Sequence, residues 1–184
     1  MSLSGAFNKL VFAAGIFISI PLAPGTRQER NAASAEVDIE LLTKIVLHQE
    51  SGGNRYDRYG RVVTSRVGAK GEMQVMDATN RDPGFGVRPA RNNSLDERAR
   101  VGRDYLRALV KHYGNAEYAL AAYNCGPGNF DDALEQAKDD GKLHTWLSYT
   151  PQETQNYVRN ARAKLLNASS VAIMTSRYSK RVDL

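Results

Sequence analysis

The segment "LHQESGGN", residues 47–54, closes an apolar run with a single glutamate, Glu50, followed by Gly52 and Gly53. Counting back by fours from Glu50 gives Val46 and Leu42, so a helix here carries the carboxyl on its core-facing stripe. Burial beside apolar groups disfavours the charged form, and the negative end of the helix dipole pushes the same way. Such a carboxyl suits proton donation near neutral pH. The pattern alone favours instead a partly exposed last-turn glutamate, or one paired with Arg55 or Arg58. Gln74 and Asn124 are the next polar candidates, because an amide beside a buried helix end needs a partner. Cys125 follows a helix rather than opening one and has no histidine in register, which argues against a thiol nucleophile.

These groups need elements to position them, and the helical signals are strong. Asp38 is an N-cap for a helix carrying Leu41, Leu42, Ile45, Val46 and Gln49, which Gly52 and Gly53 stop. Residues 53–72 read as a long loop rich in Gly, Arg and Tyr, with a short hairpin expected around "RVVTSRVG". Ser94 to Glu97 forms a capping box opening a helix that Gly114 ends, with Ala99, Gly102, Leu106, Leu109 or Val110, and Tyr113 on its apolar stripe. Asn115 caps "AEYALAAYN", which the turn "CGPGN" breaks. Thr150 to Glu153 gives a second capping box, with Pro151 at the first helical position, for a last helix expected to reach about Leu166. The fold expected is mainly α: one domain with a long active-site loop or small hairpin.

The chain has 184 residues and a net charge of +5, enough for one core and favouring anionic partners. One cysteine excludes an internal disulfide framework and a Cys-based zinc site, and His48, His112 and His144 show no metal-ligand spacing. No metal or organic cofactor is expected. The division expected is a hydrophobic segment and linker at 1–36, a catalytic body at 37–168, and a basic tail at 169–184. The apolar run at 10–20 is too short to span a bilayer, which needs roughly 20 residues. It fits a signal-peptide core or an arm docked on a neighbouring subunit, and the arm is the expectation.

Four blocks, in order, resemble the lytic transglycosylase family, the lysozyme-like enzymes that cleave peptidoglycan and are related to goose-type lysozyme. They are "ESGGN" (50–54), "GAKGEMQVMDAT" (68–79), "AAYNCGPGN" (121–129) and "PQETQNYVRN" (151–160). The wording "MQVMDATNRDPGFGV" is further similar to members carried by tailed-phage virions. The resemblance implies a lysozyme-like fold with Glu50 as the single catalytic acid and base. It implies that Ser51 orients Glu50, that Met73 and Gln74 line the sugar cleft, and that Tyr123 and Asn124 contact saccharide or the surroundings of Glu50. Tyr157 is implied to reach the Glu50 carboxyl, and Glu153 is left to its capping box. Read without the family, Met73 is more readily a plain core residue and Tyr123 a filler of a helix interface.

Glu72 departs from the family, where that position is usually apolar. It reads as a solvated loop carboxylate or as a second catalytic one, with Asp57 and Asp77 as lesser candidates. Glycosidases that use two carboxylates hold them roughly 5–5.5 Å apart when retaining and 6.5–9.5 Å when inverting. The arginines at 55, 58, 61, 66, 81, 88 and 91 could meet carboxylates of the wall, at least half of them being merely solvated. The function implied is cleavage of the MurNAc–GlcNAc bond with anhydro product, for phage genome entry, with peptidoglycan strands as partner. Other virion or envelope-complex proteins are expected partners of 1–36 and 169–184, and no specific nucleic acid is. The expected place of action is the virion in the host envelope, with the bacterial periplasm as alternative. Rival readings are a lysozyme-type muramidase, a secretion-machine wall enzyme, a nucleic-acid-binding module and an inactive structural subunit.

Overall fold

The computed structural model describes residues 38–182, with side chains through residue 168. The expectations for residues 1–36, and for the side chains of the basic tail, lie outside the described residues. Helix α1 spans Ile39–Ser51 and is capped by the Asp38 carboxylate, which accepts from the Leu41 N–H. It ends where Gly52 turns left-handed, with φ of 65°. A short α2, Asp77–Arg81, follows the long loop, and α3 spans Leu95–Tyr113. Then come α4, Ala116–Cys125, and α5, Pro127–Asp139. A 3-10 helix, Leu143–Tyr149, leads to α6, Gln152–Val182.

Helix α4 is the centre of the packing. Ala119, Leu120, Ala121 and Ala122 are all fully buried, so this helix is apolar around most of its circumference. It packs on α3, α5 and α6, and α1 packs on α6 and α3. Edge-to-face rings of Tyr118, Phe130 and Trp146 fill the end where α5 and the 3-10 helix meet α4. The result is the mainly α, lysozyme-like architecture expected from the sequence, with no sheet among the described residues.

Several local expectations change. The "CGPGN" turn does not end helical structure. Gly126 is a one-residue joint with φ of 85°, and Pro127 opens α5. Helix α6 runs on to Val182, past the end expected near Leu166. In place of a hairpin, the loop holds three isolated antiparallel bridges, Tyr56 to Val62, Thr64 to Lys70, and Lys70 to Val75. Ser94 caps α3 by accepting from the Glu97 N–H at 3.3 Å, but Glu97 does not return the bond. Its carboxylate instead accepts from the Arg91 N–H and pairs with the Arg91 and Arg100 guanidinium groups. The second capping box is absent too. The Thr150 N–H and hydroxyl both donate to the Leu147 carbonyl, which leaves Glu153 free for another surface.

Candidate active site

A cleft of about 380 Å³ lies over the C-terminal end of α1. Five of the residues singled out in the sequence line it: Glu50, Gln74, Tyr123, Asn124 and Tyr157. The Tyr157 hydroxyl donates to Glu50 Oε1 at 2.8 Å. Burial pushes the Glu50 carboxyl up to about 7, the Tyr157 hydrogen bond pulls it partly back, and the charge of Glu153 adds to the rise. Among the described residues no arginine pairs with it. Arg55, the sequence's alternative partner, is instead committed to Glu72 and Asp96.

This balance gives a direct prediction. In Tyr157→Phe the hydrogen bond that favours the ionised form is gone, so the Glu50 pKa rises above its value of about 7. Carbon-13 NMR titration of the Glu50 carboxyl measures it; a fall, or no change, would show that the hydroxyl does not control the carboxylate.

The turn carrying Gln74 is held from two sides. Ser51, at the end of α1, donates its hydroxyl to the Glu72 carbonyl at 2.8 Å. Tyr123, from α4, donates to the Met73 carbonyl at 3.0 Å. Met73 therefore does not line the cleft as the family resemblance implied, and the Ser51 hydroxyl, implied to orient Glu50, bonds the turn instead. The serine ties the turn to the helix, and Met73 is buried in the core at 1% exposure. Gln74 itself sits at φ of 47°, a left-handed conformation unusual for a residue with a side chain. Its amide nitrogen donates to the Gly71 and Val63 carbonyls, so its carbonyl oxygen is the end left to face a ligand. Asn124 accepts from the buried Thr154 hydroxyl at 2.7 Å, joining the end of α4 to the start of α6.

Glu72 is neither a solvated carboxylate nor a cleft residue. It is buried at 8% exposure and gripped by Arg55, with Arg103 at 4.0 Å. The apolar position of the family has become a buried carboxylate paired with a partly exposed arginine, which anchors the loop. Asp57 is paired with Arg61, and that hydrogen bond holds its carboxyl below the usual range. Asp77 is held down likewise by Lys70 and Arg98. None of the three is a lining residue of the cleft. Of the loop arginines, Arg55, Arg61 and Arg91 are taken by ion pairs within the protein. The Cys125 thiol donates to the Ala121 carbonyl and burial pushes its pKa up, opposite to an activated nucleophile.

The carboxylate that does line the cleft beside Glu50 is Glu153. A signal for it was present in the sequence. Glu153 and Tyr157 are four residues apart on a helix, so a Tyr157 aimed at Glu50 brings Glu153 to the same face. Gln49 from α1, and Ser65, Val67, Ala69 and Met76 from the loop, complete the walls. Among the described residues no group of three or more His, Cys, Asp or Glu could hold a metal ion.

In the solved structures, the chain is similar to the 70 kDa soluble lytic transglycosylase of Escherichia coli, at 28% identity and a TM-score of 0.52. The match covers 68% of this chain and 21% of that one. It is also similar to an inactive Glu-to-Gln mutant of the lytic transglycosylase Slt from Pseudomonas aeruginosa, at 27% identity and a TM-score of 0.53. There it covers 75% of this chain and 22% of the other, so the chain spans about a fifth of the length of either protein. The family model described as the transglycosylase SLT domain matches residues 28–145, more than half of the chain. The protein therefore belongs to the SLT transglycosylase domain family.

Proposed function

We propose that the protein is a peptidoglycan lytic transglycosylase, breaking the MurNAc–GlcNAc β-1,4 bond and leaving a 1,6-anhydroMurNAc end. The observation that carries this is the Glu50 carboxyl, of pKa about 7, without a cationic partner among the described residues and held by a tyrosine hydroxyl inside the cleft. Protonated Glu50 gives its proton to the glycosidic oxygen as the bond to the muramic C1 breaks. The sugar's own 6-hydroxyl then attacks C1, and the Glu50 carboxylate takes the hydroxyl proton. No water is consumed, and Glu50 ends protonated as it began. One group working as acid and then as base needs a pKa near the working pH, which burial supplies. The nucleophile is already part of the substrate, which removes the entropic cost of recruiting water. Gln74 and Asn124 offer amide groups to the N-acetyl functions of the sugars, and the Tyr157 hydroxyl steadies the Glu50 carboxylate.

A second reading rests on Glu153. A second carboxylate in the same cleft could activate water, making the enzyme a muramidase that leaves reducing ends. Mass spectrometry of muropeptides released from purified peptidoglycan separates the two. Anhydro ends are expected from the native chain; reducing ends would overturn the transglycosylase reading and assign the base to Glu153, since Glu72, Asp57 and Asp77 are occupied elsewhere.

The biological setting we propose is local wall opening for genome entry, by a phage particle acting in the host envelope. It is supported by the virion-like wording of residues 73–87. Co-purification with intact particles, or its failure, tests that setting.

A further inference from the structure

Of the eight large apolar side chains exposed among the described residues, four lie in one short stretch of the loop: Tyr56, Tyr59, Val62 and Val67. Scattered singly such residues are ordinary, but gathered together they mark a surface that meets something. The stretch holds them outward. Tyr56 and Val62 pair as an antiparallel bridge, which sets their side chains on the same side of the ribbon. The turn between them is closed by the Asp57 N–H donating to the Arg61 carbonyl at 2.8 Å, and the Gly60 N–H to the Asp57 carbonyl at 3.0 Å. The Asp57 carboxylate accepts from the Tyr59 and Arg61 N–H groups and pairs with the Arg61 guanidinium, so its charge is used inside the turn. Tyr59 is left 65% exposed at the tip.

The ring of Tyr59 is not bare. The guanidinium groups of Arg58 and Arg61 lie over it, 4.8 and 5.0 Å from its centroid. A sugar or a nucleic-acid base that stacks needs an open aromatic face, and here two cations already cover it. From Tyr56 to Val67 there are three arginines and one aspartate, and neither Arg58 nor Arg66 has an ion-pair partner among the described residues. Exposed tyrosine and valine beside unpaired arginine suit the boundary of a bilayer. The tyrosine ring and hydroxyl match the headgroup level, and a guanidinium meets lipid phosphate.

We propose that the tip of this ribbon, Tyr56 to Val62, docks on an anionic phospholipid surface, with Tyr59 entering the headgroup layer and Arg58 meeting lipid phosphates. The next turn adds Arg66 and Val67, and Val67 is also a wall of the cleft, so docking holds the cleft close to the bilayer. Lipid binding at the tip goes beyond the cleavage chemistry and does not rest on it.

Tyr59→Trp in the full chain places a reporter at the tip, because the native tryptophan, Trp146, is buried. Vesicles of phosphatidylglycerol mixed with phosphatidylcholine, carrying brominated acyl chains, are titrated in. Emission is expected to shift to the blue and to be quenched, with no such change on phosphatidylcholine alone. Adding Arg58→Ser should raise the lipid concentration for half-quenching about fivefold, the effect of one basic residue at an anionic surface. Binding that leaves the emission unmoved would assign lipid contact to another surface, the apolar run at 10–20 included, and overturn the inference. Equal quenching on neutral vesicles, or emission that responds to soluble glycan strands and not to vesicles, would overturn it too. Muropeptide release is measured separately on the same preparation, so failure of the proposed cleavage and failure of lipid docking are told apart.

Discussion

Glu50→Gln is expected to lower peptidoglycan cleavage by about 1,000-fold or more while making the protein more stable above neutral pH. The first effect follows from the proposed mechanism, in which one carboxyl serves both proton transfers and an amide can do neither. The second follows from the direction of its pKa shift. The folded protein holds this carboxyl at about 7 against an ordinary value of 4.5. Between those values the unfolded chain ionises Glu50 and the native state does not. Stability from this group is thus fully present below about pH 4.5 and is lost as pH rises through about 7. Glutamine keeps the hydrogen bond from Tyr157 and carries no charge to bury. The variant should match the native protein in urea denaturation at pH 4 and exceed it by about 2 kcal/mol at pH 8. A variant that is inactive and equally stable at both pH values would mean that Glu50 is not held against its charge.

The other large effect lies in the core, at Gly102 in the middle of α3. A Cβ placed there would come within 2.9 Å of both Met73 Sδ and Val75 Cγ2 and 3.0 Å of Met73 Cβ. Helix propensity alone favours replacing this glycine, by about 1 kcal/mol for alanine. Contact reverses that preference, because α3 lies directly against the turn that presents Gln74. Gly102→Val should cost about 3 kcal/mol, read from the urea midpoint. Gly102→Ala should cost less but still destabilise. Both should lower kcat/KM in the folded fraction, since Met73 and Val75 flank Gln74 on either side. A stabilised alanine variant with full activity would show that the turn has room to give.

Most of this frame could be read from the chain because its signals are local. Asp38, Ser94 and Asn115 cap their helices through bonds spanning only a few residues. The apolar stripe of α3 also holds, with Ala99, Leu106 and Leu109 buried. Helix α5 was hidden because Gly126-Pro127 is the same signal whether a helix ends or another begins one residue later. The long-range partners were hidden for a different reason. Arg55 reaches Glu72 and Asp96, and the latter lies 41 residues away. No periodicity encodes such a choice among seven loop arginines. In the candidate site, the residues on helices could be placed from spacing or resemblance. On the turn, resemblance pointed Gln74 and Met73 alike to the cleft and only Gln74 lines it, because their facing depends on φ at Gln74 and on two hydroxyl clasps. Glu153 was missed although it was legible, since a capping box offered it a simpler use.

The way the loop is fastened has a consequence for how the protein meets its surroundings. Helices α3, α4 and α6 are joined by buried apolar contact, which added salt does not weaken. The loop wall of the cleft is instead moored by Arg55 to Glu72 and Asp96, and by Lys70 and Arg98 to Asp77, several of these groups being partly exposed. Electrostatic attraction between exposed charges fades beyond about 8 Å at physiological ionic strength and sooner in brine. Ionic strength thus acts on one wall of the cleft more than on the helical body, where the Arg162–Glu117 pair between α6 and α4 adds to the buried apolar contact. A fall in turnover with salt would combine two things: weaker attraction of a cationic protein to an anionic wall, and looser moorings at the cleft itself.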